Sequence, residues 1–467
     1  MKGRMQKTST QSDNYPQNNR TASEDYVGVQ TFIGITENNL TEVRFNRENL
    51  MEQILSPSNL NRAYKQVVSN KGSGGIDKMQ TKDLLPWLHD HKDALINSLS
   101  KGTYRPNPVR RVEIPKGDGK TRPLGIPSVV DRLVQQSVAQ VLSPIYELEF
   151  SESSYGFRPR RSCHDALRGA QTHINSGYKY VVDLDLEKFF DTVSHSRLIE
   201  LLSKKIKDGR VISLIHKYLL AGVQIGERFE ESHAGVPQGG PLSPLLSNIM
   251  LNELDSELER RGHPFVRYAD DCMIFCKSQR AAERTKGSIT RFIENVLYLR
   301  VNRDKTKVGY VRGMKFLGYS FYIQSGECRL FVHPKSYDKF ESKLKALTGR
   351  SNGMGYAKRK ESLRYFIMGW LEYFKLADMK SKLRDIDTWY RRRLRMCIWK
   401  NWKRTKTRFK NLMKCGIIDW EAWKWANTRK GYWHISNSKV LSIALNNDNL
   451  KRAGYPLIVD CYRKVVP

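Results

Sequence analysis

Hydrophobic and polar positions divide this chain into stretches with different periods. Residues 1–47 are polar and show no sustained period, so they are expected to form a disordered tail. Over residues 48–110 the apolar positions recur at helical spacing, with a break near Pro57 and a glycine-rich loop at 72–75. Over residues 111–330 short strand-like runs mix with amphipathic helices, which predicts an α+β domain.

The strand-like runs are rich in β-branched and aromatic residues, and they are VRRVEIP, YKYVVDLDL, FVRYADDCMIF and FLGYSFYI. After residue 335 such runs become rare. Apolar spacing there predicts one helix around 363–374 and a second around 386–398. We therefore expect a helical domain over residues 335–415, followed by a segment of weaker helices over 416–467.

The charge balance indicates the kind of partner that the protein binds. The chain holds 80 Lys and Arg against 48 Asp and Glu, a net charge of +32, which favours a polyanion such as a nucleic acid. Residues 391–410 contain ten basic residues and no acid. In the predicted helix, Trp389, Tyr390 and Leu394 form an apolar stripe that leaves several arginines on another face. Such a face could bind the phosphates of a nucleic-acid backbone, or it could be an ordinary solvated surface.

Cysteine usage and hydropathy exclude several classes of protein. The seven cysteines are scattered without a C-x-x-C pair, which indicates neither a zinc site nor a secreted disulfide framework. No apolar run approaches the length of a membrane span, and the N-terminus lacks the apolar core of a signal peptide. The sequence predicts a soluble, cytoplasmic protein without a membrane partner.

Acidic residues interrupt two of the predicted strands. Asp270 and Asp271 lie between FVRY and CMIF, and could simply occupy a solvated turn. Asp183 and Asp185 alternate with apolar residues, which places both on one face of a strand. Carboxylates from two neighbouring strands form a site for a hard cation such as Mg²⁺, and a pair of such ions can clamp a phosphoryl displacement.

Several motifs together resemble the reverse transcriptases encoded by bacterial group II introns. They are YADD, DLDLEKFFD, GVPQGGPLSPLLSNIMLNELD, IPKGDGKTRPLGIPSVVDRLVQQSVAQVL, SYGFRPRRSCHDAL, NRDKTKV with FLGY, and LRYFIMGWLEYFK with the basic run after it. The resemblance implies an α+β right-hand polymerase with fingers and a palm over residues 111–330, followed by an α-helical thumb. It implies two Mg²⁺ ions held by Asp185, Asp270 and Asp271, with Asp183 in a supporting role.

The same resemblance implies roles for five residues around the incoming nucleotide, each with a plainer alternative. Lys116 and Arg122 would bind the triphosphate, or lie in a solvated turn. Phe190 would exclude ribonucleotides, or be a core residue. Gln238 would contact the nucleotide and template, or belong to a tight turn before a helix. Lys305 would protonate the leaving pyrophosphate, or contact phosphate as a basic loop residue.

The basic helical stretch resembles the thumb, or maturase, domain of this family. The residues expected to bind RNA are Arg158, Arg391, Arg392, Arg395, Lys400, Lys403 and Arg404. Residues 416–467 match the position of a DNA-binding segment. A Cys/His cluster is missing there, so we expect the compact class without an endonuclease. The implied partners are group II intron RNA, an RNA template with a DNA primer, dNTPs and target DNA, bound by a monomer or homodimer.

The sequence therefore predicts an RNA-directed DNA polymerase that also assists intron splicing. One alternative is an RNA-binding splicing factor whose polymerase is dispensable, although the intact YADD and Asp185 favour an active enzyme. A second alternative is a reverse transcriptase of a retron or defence system, which the long basic thumb disfavours.

Overall fold

The computed structural model describes residues 49–115 and 121–466, which form two compact units, one ending at Phe331 and the other beginning at Val332. The predicted tail over residues 1–47 lies outside the described residues, and so does the tip of the predicted hairpin around Gly117. Over the described residues, every helix is too short or too polar to cross a lipid bilayer.

The first unit begins with helices, in agreement with the periodicity of the sequence. Pro57 occupies the first turn of α2 and separates it from α1, because its ring fits a helix start but interrupts a helix interior. The helices of this unit are α1 (Leu50–Leu55), α2 (Pro57–Ser69), α3 (Leu84–Ser100), α4 (Val129–Glu147), α5 (Cys163–Asn175), α6 (Phe189–Thr192), α7 (His195–Lys205), α8 (Gly209–Leu220), α9 (Ser243–Arg260) and α10 (Gln279–Asn295).

Eleven strands are described, and they confirm the predicted strand runs. They are β1 (Val109–Pro115), β2 (Thr121–Ile126), β3 (Tyr180–Leu184), β4 (Val223–Ile225), β5 (Arg228–Glu230), β6 (Phe265–Tyr268), β7 (Asp271–Cys276), β8 (Lys307–Tyr310), β9 (Lys315–Phe316), β10 (Tyr319–Gln324) and β11 (Glu327–Val332). They form three sheets, with the strand orders β2-β1-β4-β5, β6-β7-β3-β8 and β11-β10-β9. The mixture of sheets and helices is the predicted α+β class.

The four-stranded sheet β6-β7-β3-β8 organises the first unit. Strand β3 lies inside it and pairs antiparallel with β7 on one side and β8 on the other. Helix α10 packs against this sheet, and α5 packs against β6. Helix α4 is buried along almost its whole length, so it runs through the core rather than along the surface. The acidic ends of β3 and β7 therefore lie on a sheet that is supported by packed helices.

The second unit is helical from residue 334 onward. Its helices are α11 (Pro334–Leu347), α12 (Tyr356–Tyr373), α13 (Lys380–Asn401), α14 (Thr405–Lys414), α15 (Asp419–Ala426), α16 (Tyr432–Ile435), α17 (Lys439–Ala444), α18 (Asn447–Arg452) and α19 (Ile458–Val465). Trp370 of α12 stacks on Phe340 of α11 with ring centroids 4.1 Å apart. Tyr390 and Leu394 of α13 are fully buried, which confirms the apolar stripe predicted for this helix.

Candidate active site

Two strands bring the predicted carboxylates to one edge of the sheet. Leu184, the last residue of β3, pairs with Cys272 of β7 in antiparallel register. Continuing that register by one residue places Asp185 opposite Asp271, with Asp270 in the turn before β7. The arrangement predicted from two separate acidic motifs is thus a single acidic cluster at the ends of neighbouring strands.

The backbone of the turn that carries Asp270 has an unusual conformation. Ala269 has φ of +57°, in the left-handed region that side chains other than glycine rarely adopt. The turn is also pressed against Gly156, where a Cβ atom would lie 2.2 Å from the backbone nitrogen of Ala269. Position 156 therefore has to be glycine for the chain to approach this closely.

A buried arginine next to the turn holds this backbone in place. Arg267 Nη1 donates to the carbonyl oxygen of Ala269 at 2.9 Å and to Asn248 Oδ1 at 3.0 Å. Its Nε donates to Asp255 Oδ1 at 2.7 Å, and the exposed fractions of the two side chains are 1% and 0%. Asn248 in turn donates to the carbonyl oxygen of Gly156 at 2.9 Å. The network links helix α9, the Gly156 segment and the turn that carries Asp270.

Arg267, Asp255 and Asn248 are not among the residues that the sequence predicts for the site. A signal was present, because a charged residue inside the strand FVRY requires a buried partner. The sequence alone does not say which of 48 acidic residues provides it. The pairing depends on the tertiary placement of helix α9.

The carboxylates of the cluster repel one another. Burial, followed by the charges of Asp270, Asp183 and Asp185, raises the pKa of Asp271 to about 7. Burial and the neighbouring Asp185 raise the pKa of Asp183 to about 6, although Lys307 and Lys315 oppose this shift. A cation at this edge would offset the repulsion.

The donor set fits a hard divalent cation, since it consists of carboxylate oxygens from two adjacent strands. Within residues 49–115 and 121–466, no three acidic, histidine or cysteine side chains lie close enough to form a finished metal site. Lys305 Nζ lies 3.4 Å from Asp185 Oδ2, so a lysine at present neutralises part of this carboxylate. Thr306 also holds Asp185, through a bond of 3.2 Å between the Asp185 N–H and the threonine hydroxyl.

Two residues predicted to contact the nucleotide bind each other. Arg122 Nε donates to Gln238 Oε1 at 2.8 Å, although 116 residues separate them. The backbone N–H of Gly125 donates to the carbonyl oxygen of Gln238 at 2.7 Å. The glycine-rich loop before α9 is therefore attached to strand β2. Lys116 lies outside the described residues, so its predicted role stays a prediction.

Phe190 is buried and packs edge-on against Phe189, with ring centroids 5.1 Å apart. Its carbonyl oxygen accepts the N–H of Val236 at 2.6 Å, which fixes its backbone to the segment before Gln238. These contacts are compatible with Phe190 as a core residue and with Phe190 as a barrier to ribonucleotides, because a packed ring can also form a rigid wall beside a ligand.

Replacing Phe190 by valine is expected to lower discrimination against ribonucleotides by about 10- to 100-fold, since a fit that depends on a few carbon atoms contributes about 1–3 kcal/mol. The measurement is the ratio of kcat/KM for dNTP and rNTP in primer extension. Phe189→Val is the matched control, because Phe189 is equally buried and makes the same ring contact. Both variants should lose similar stability. An unchanged ratio in Phe190→Val would assign the ring to the core alone.

The structure corrects the RNA-binding role predicted for Arg158. Its side chain is 2% exposed and pairs with Glu147 at 2.8 Å. The guanidinium also donates to the carbonyl oxygens of Ser151 and Ser154. These partners surround the group, so Arg158 fastens α4 to the segment after it and does not face a ligand.

Arg158→Met is therefore expected to lower the free energy of unfolding by about 3–5 kcal/mol, because it leaves Glu147 without its buried partner. Its affinity for RNA at a temperature where the variant is folded should equal that of the wild type. Lys403→Gln, which changes an exposed side chain, should show the reverse pattern of weaker RNA binding and unchanged stability. Chemical denaturation and filter binding measure the two effects. Weaker RNA binding by folded Arg158→Met would restore the original prediction.

The basic residues predicted on α13 bind protein partners within the second unit. Arg391 pairs with Asp387 at 3.1 Å, and Arg392 lies 3.9 Å above the ring of Trp433. Arg395 donates to the carbonyl oxygen of Ser436, and Lys400 donates to that of Arg350. These four side chains are half-buried, while Lys403 and Arg404 are exposed. Part of the predicted cationic face therefore joins helices together, and its freely exposed part begins after α13.

Comparison with known protein families gives two adjacent matches. Residues 114–321 match the model described as reverse transcriptase (RNA-dependent DNA polymerase), and residues 337–416 match the group II intron, maturase-specific domain. The first range contains the acidic cluster, and the second contains α12, α13 and α14.

Individual relatives agree with the family models. The chain is 35% identical over 314 residues to protein YkfC of Escherichia coli, which covers 58% of this chain and 82% of that protein. It is 32% identical over 356 residues to the group II intron-encoded protein LtrA of Lactococcus lactis, covering 62% of this chain and 58% of LtrA. Among solved structures, a partial Cas6-RT-Cas1–Cas2 complex is similar at a TM-score of 0.34 and 25% identity, over 53% of this chain and 42% of that chain.

Proposed function

Because this chain belongs to the reverse transcriptases that carry a group II intron maturase domain, we propose that it copies RNA into DNA and binds the intron RNA to assist splicing. The proposed substrates are an RNA template with a DNA primer and dNTPs, and the proposed RNA partner is a group II intron in the bacterial cytoplasm. Target DNA would be the site of insertion. The chain would act as a monomer or homodimer.

The observation that carries the polymerase proposal is the acidic cluster at the ends of β3 and β7. Asp185, Asp270 and Asp271 would hold two Mg²⁺ ions, which supply an activated primer hydroxyl and charge neutralisation at the leaving pyrophosphate. The protein contributes position: strands fix two carboxylates, and the turn at Ala269 fixes the third. Catalysis of this kind rests on alignment and electrostatic stabilisation.

Cationic and polar side chains near the cluster would orient the nucleotide. Arg122 offers a planar fork of donors for a triphosphate, and its bond to Gln238 holds that fork in one orientation. The Lys305 ammonium would leave its ion pair with Asp185 and bind a phosphate oxygen of the nucleotide. From that position it would donate a proton to the leaving pyrophosphate. Phe190 would close the space beside the sugar. Lys116 would add a second cation.

Splicing assistance is proposed as a binding function of the second unit. Residues 351–415 hold 19 Lys or Arg against 5 Asp or Glu, and phosphate neutralisation by such a surface favours a folded RNA. The maturase-specific match supports an intron partner over the retron or defence alternative. Stabilising the folded RNA would leave the splicing chemistry to the RNA itself.

Primer extension tests the polymerase proposal directly. The reaction contains the full chain, an RNA template, a DNA primer, dNTPs and Mg²⁺, and a parallel reaction contains excess EDTA. Template-dependent extension that EDTA abolishes is expected. Tight binding to group II intron RNA without any extension would overturn the enzyme proposal and favour the splicing factor alone.

A further inference from the structure

Two tryptophans of helix α15 project from the second unit. Trp420 is 64% exposed and Trp423 is 56% exposed, and they lie one helical turn apart. Ile418 and Met413 beside them are also exposed. Most of the tryptophan surface of a folded protein is buried, so two neighbouring exposed rings indicate a surface built for a partner.

The tryptophans are held on a defined support. Helix α15 packs on α14, and Ala422 and Ala426 form its buried side. Trp423 lies edge-on to Phe409 of α14, with ring centroids 5.5 Å apart. The outward side is therefore rigid, since its helix cannot rotate without exposing the alanine face. We call Trp420, Trp423 and the exposed side of α14 the tryptophan surface.

The charge of the segment that contains the tryptophan surface indicates the chemical class of its partner. Residues 403–430 contain nine Lys or Arg and two acidic residues. On α14, Lys406, Lys410 and Lys414 are exposed and recur every fourth residue, so they form one line along the helix. Exposed rings on α15, together with a line of cations on the helix that α15 packs against, suit a polyanion that presents flat apolar groups, which is the chemistry of unpaired nucleotides.

We propose that the tryptophan surface binds unpaired nucleotides of a folded RNA, with bases stacked on Trp420 and Trp423 and phosphates near the lysines of α14. The choice of RNA as the ligand rests on the proposed function, because α14 lies within the maturase-specific match and α15 begins three residues after that match ends. The chemistry of RNA also supports this choice, since loops and bulges of folded RNA display unstacked bases on which aromatic side chains can stack. A fully paired duplex offers few such bases.

The test uses the full chain and three labelled probes: an RNA hairpin with an unpaired loop, a fully paired RNA duplex of equal phosphate number, and single-stranded DNA of the loop sequence. Trp420→Ala/Trp423→Ala is expected to weaken hairpin binding by about 10- to 100-fold, from the loss of base stacking, and to leave duplex binding unchanged. The single variant Trp420→Ala keeps the contact between Trp423 and Phe409, so it controls for an effect of lost packing at Phe409. Tyr365→Ala removes an exposed ring from α12 and should have no effect.

Each other outcome overturns the proposal. Equal loss on hairpin and duplex would mean that the rings do not stack on unpaired bases. Tighter binding of the DNA strand than of the hairpin, with the loss confined to DNA, would make DNA the occupant. A change of oligomeric state in sedimentation would indicate an interface between copies. Primer extension by the double variant at the wild-type rate, on a pre-annealed template and primer, separates this test from that of the polymerase.

Discussion

Asp270→Asn is expected to abolish primer extension, with a fall in rate of about a thousandfold or more, because the interactions of a catalytic metal ion contribute several kcal/mol. The substitution keeps the size of the side chain but removes one charge from the cluster. Since the Asp270 charge helps to raise the pKa of Asp271, its loss relieves repulsion, and the protein should be no less stable than the wild type. Single-turnover extension and thermal unfolding measure the two effects.

Asp304→Asn is the matched control for this experiment. Asp304 is exposed and precedes Lys305, so its substitution also removes one negative charge near the site. It should extend primers at close to the wild-type rate. RNA binding should be the same for both variants, and splicing by Asp270→Asn should survive if the two functions are separate. Retention of a tenth of the rate by Asp270→Asn would contradict the proposed metal role.

Arg267→Met is expected to lower both stability and polymerase rate. It leaves the carboxylate of Asp255 buried without its partner, which destabilises by about 3–5 kcal/mol. It also removes the donor that holds the carbonyl oxygen of Ala269, so the turn that carries Asp270 loses its support. Chemical denaturation reports the first effect, and the rate of extension at saturating dNTP reports the second.

A double variant separates these two effects. Arg267→Met/Asp255→Leu removes both charges of the buried ion pair. Replacement of a buried ion pair by apolar residues is often neutral for stability. Stability should therefore return toward the wild type, while the Ala269 carbonyl stays without its donor and extension stays slow. The Mg²⁺ concentration for half-maximal rate should rise, with KM for dNTP unchanged. Recovery of the rate together with stability would show that Arg267 serves folding alone.

The local features of this chain could be predicted from its sequence because they depend on neighbouring residues. Strand β1 and helix α13 follow from periodicity, and Pro57 marks a helix start. Four carboxylates could be singled out because each interrupts an apolar run, and they are Asp183, Asp185, Asp270 and Asp271. The choice of Asp185, Asp270 and Asp271 as metal ligands came from the family resemblance. Their mutual distance and the role of Arg267 depend on register between strands far apart in the chain, which periodicity does not contain.

Two of the arginines predicted to bind RNA illustrate the limit of charge patterns. Arg158 and Arg395 lie in basic segments, yet both donate to backbone carbonyls of their own unit. A charged side chain near a helix end or turn can satisfy carbonyl groups as readily as phosphates. Sequence alone gives the charge, while burial decides whether it reaches a partner.

The position of β3 inside its sheet has a consequence for how the protein is made. Its neighbours β7 and β8 lie roughly ninety to 130 residues downstream, so the sheet cannot close until residue 310 has left the ribosome. Contacts of such long sequence separation form slowly. The acidic cluster thus lacks its complete support until β8 has been made, and a polypeptide truncated before β8 would retain every carboxylate of the cluster without the finished sheet that supports them.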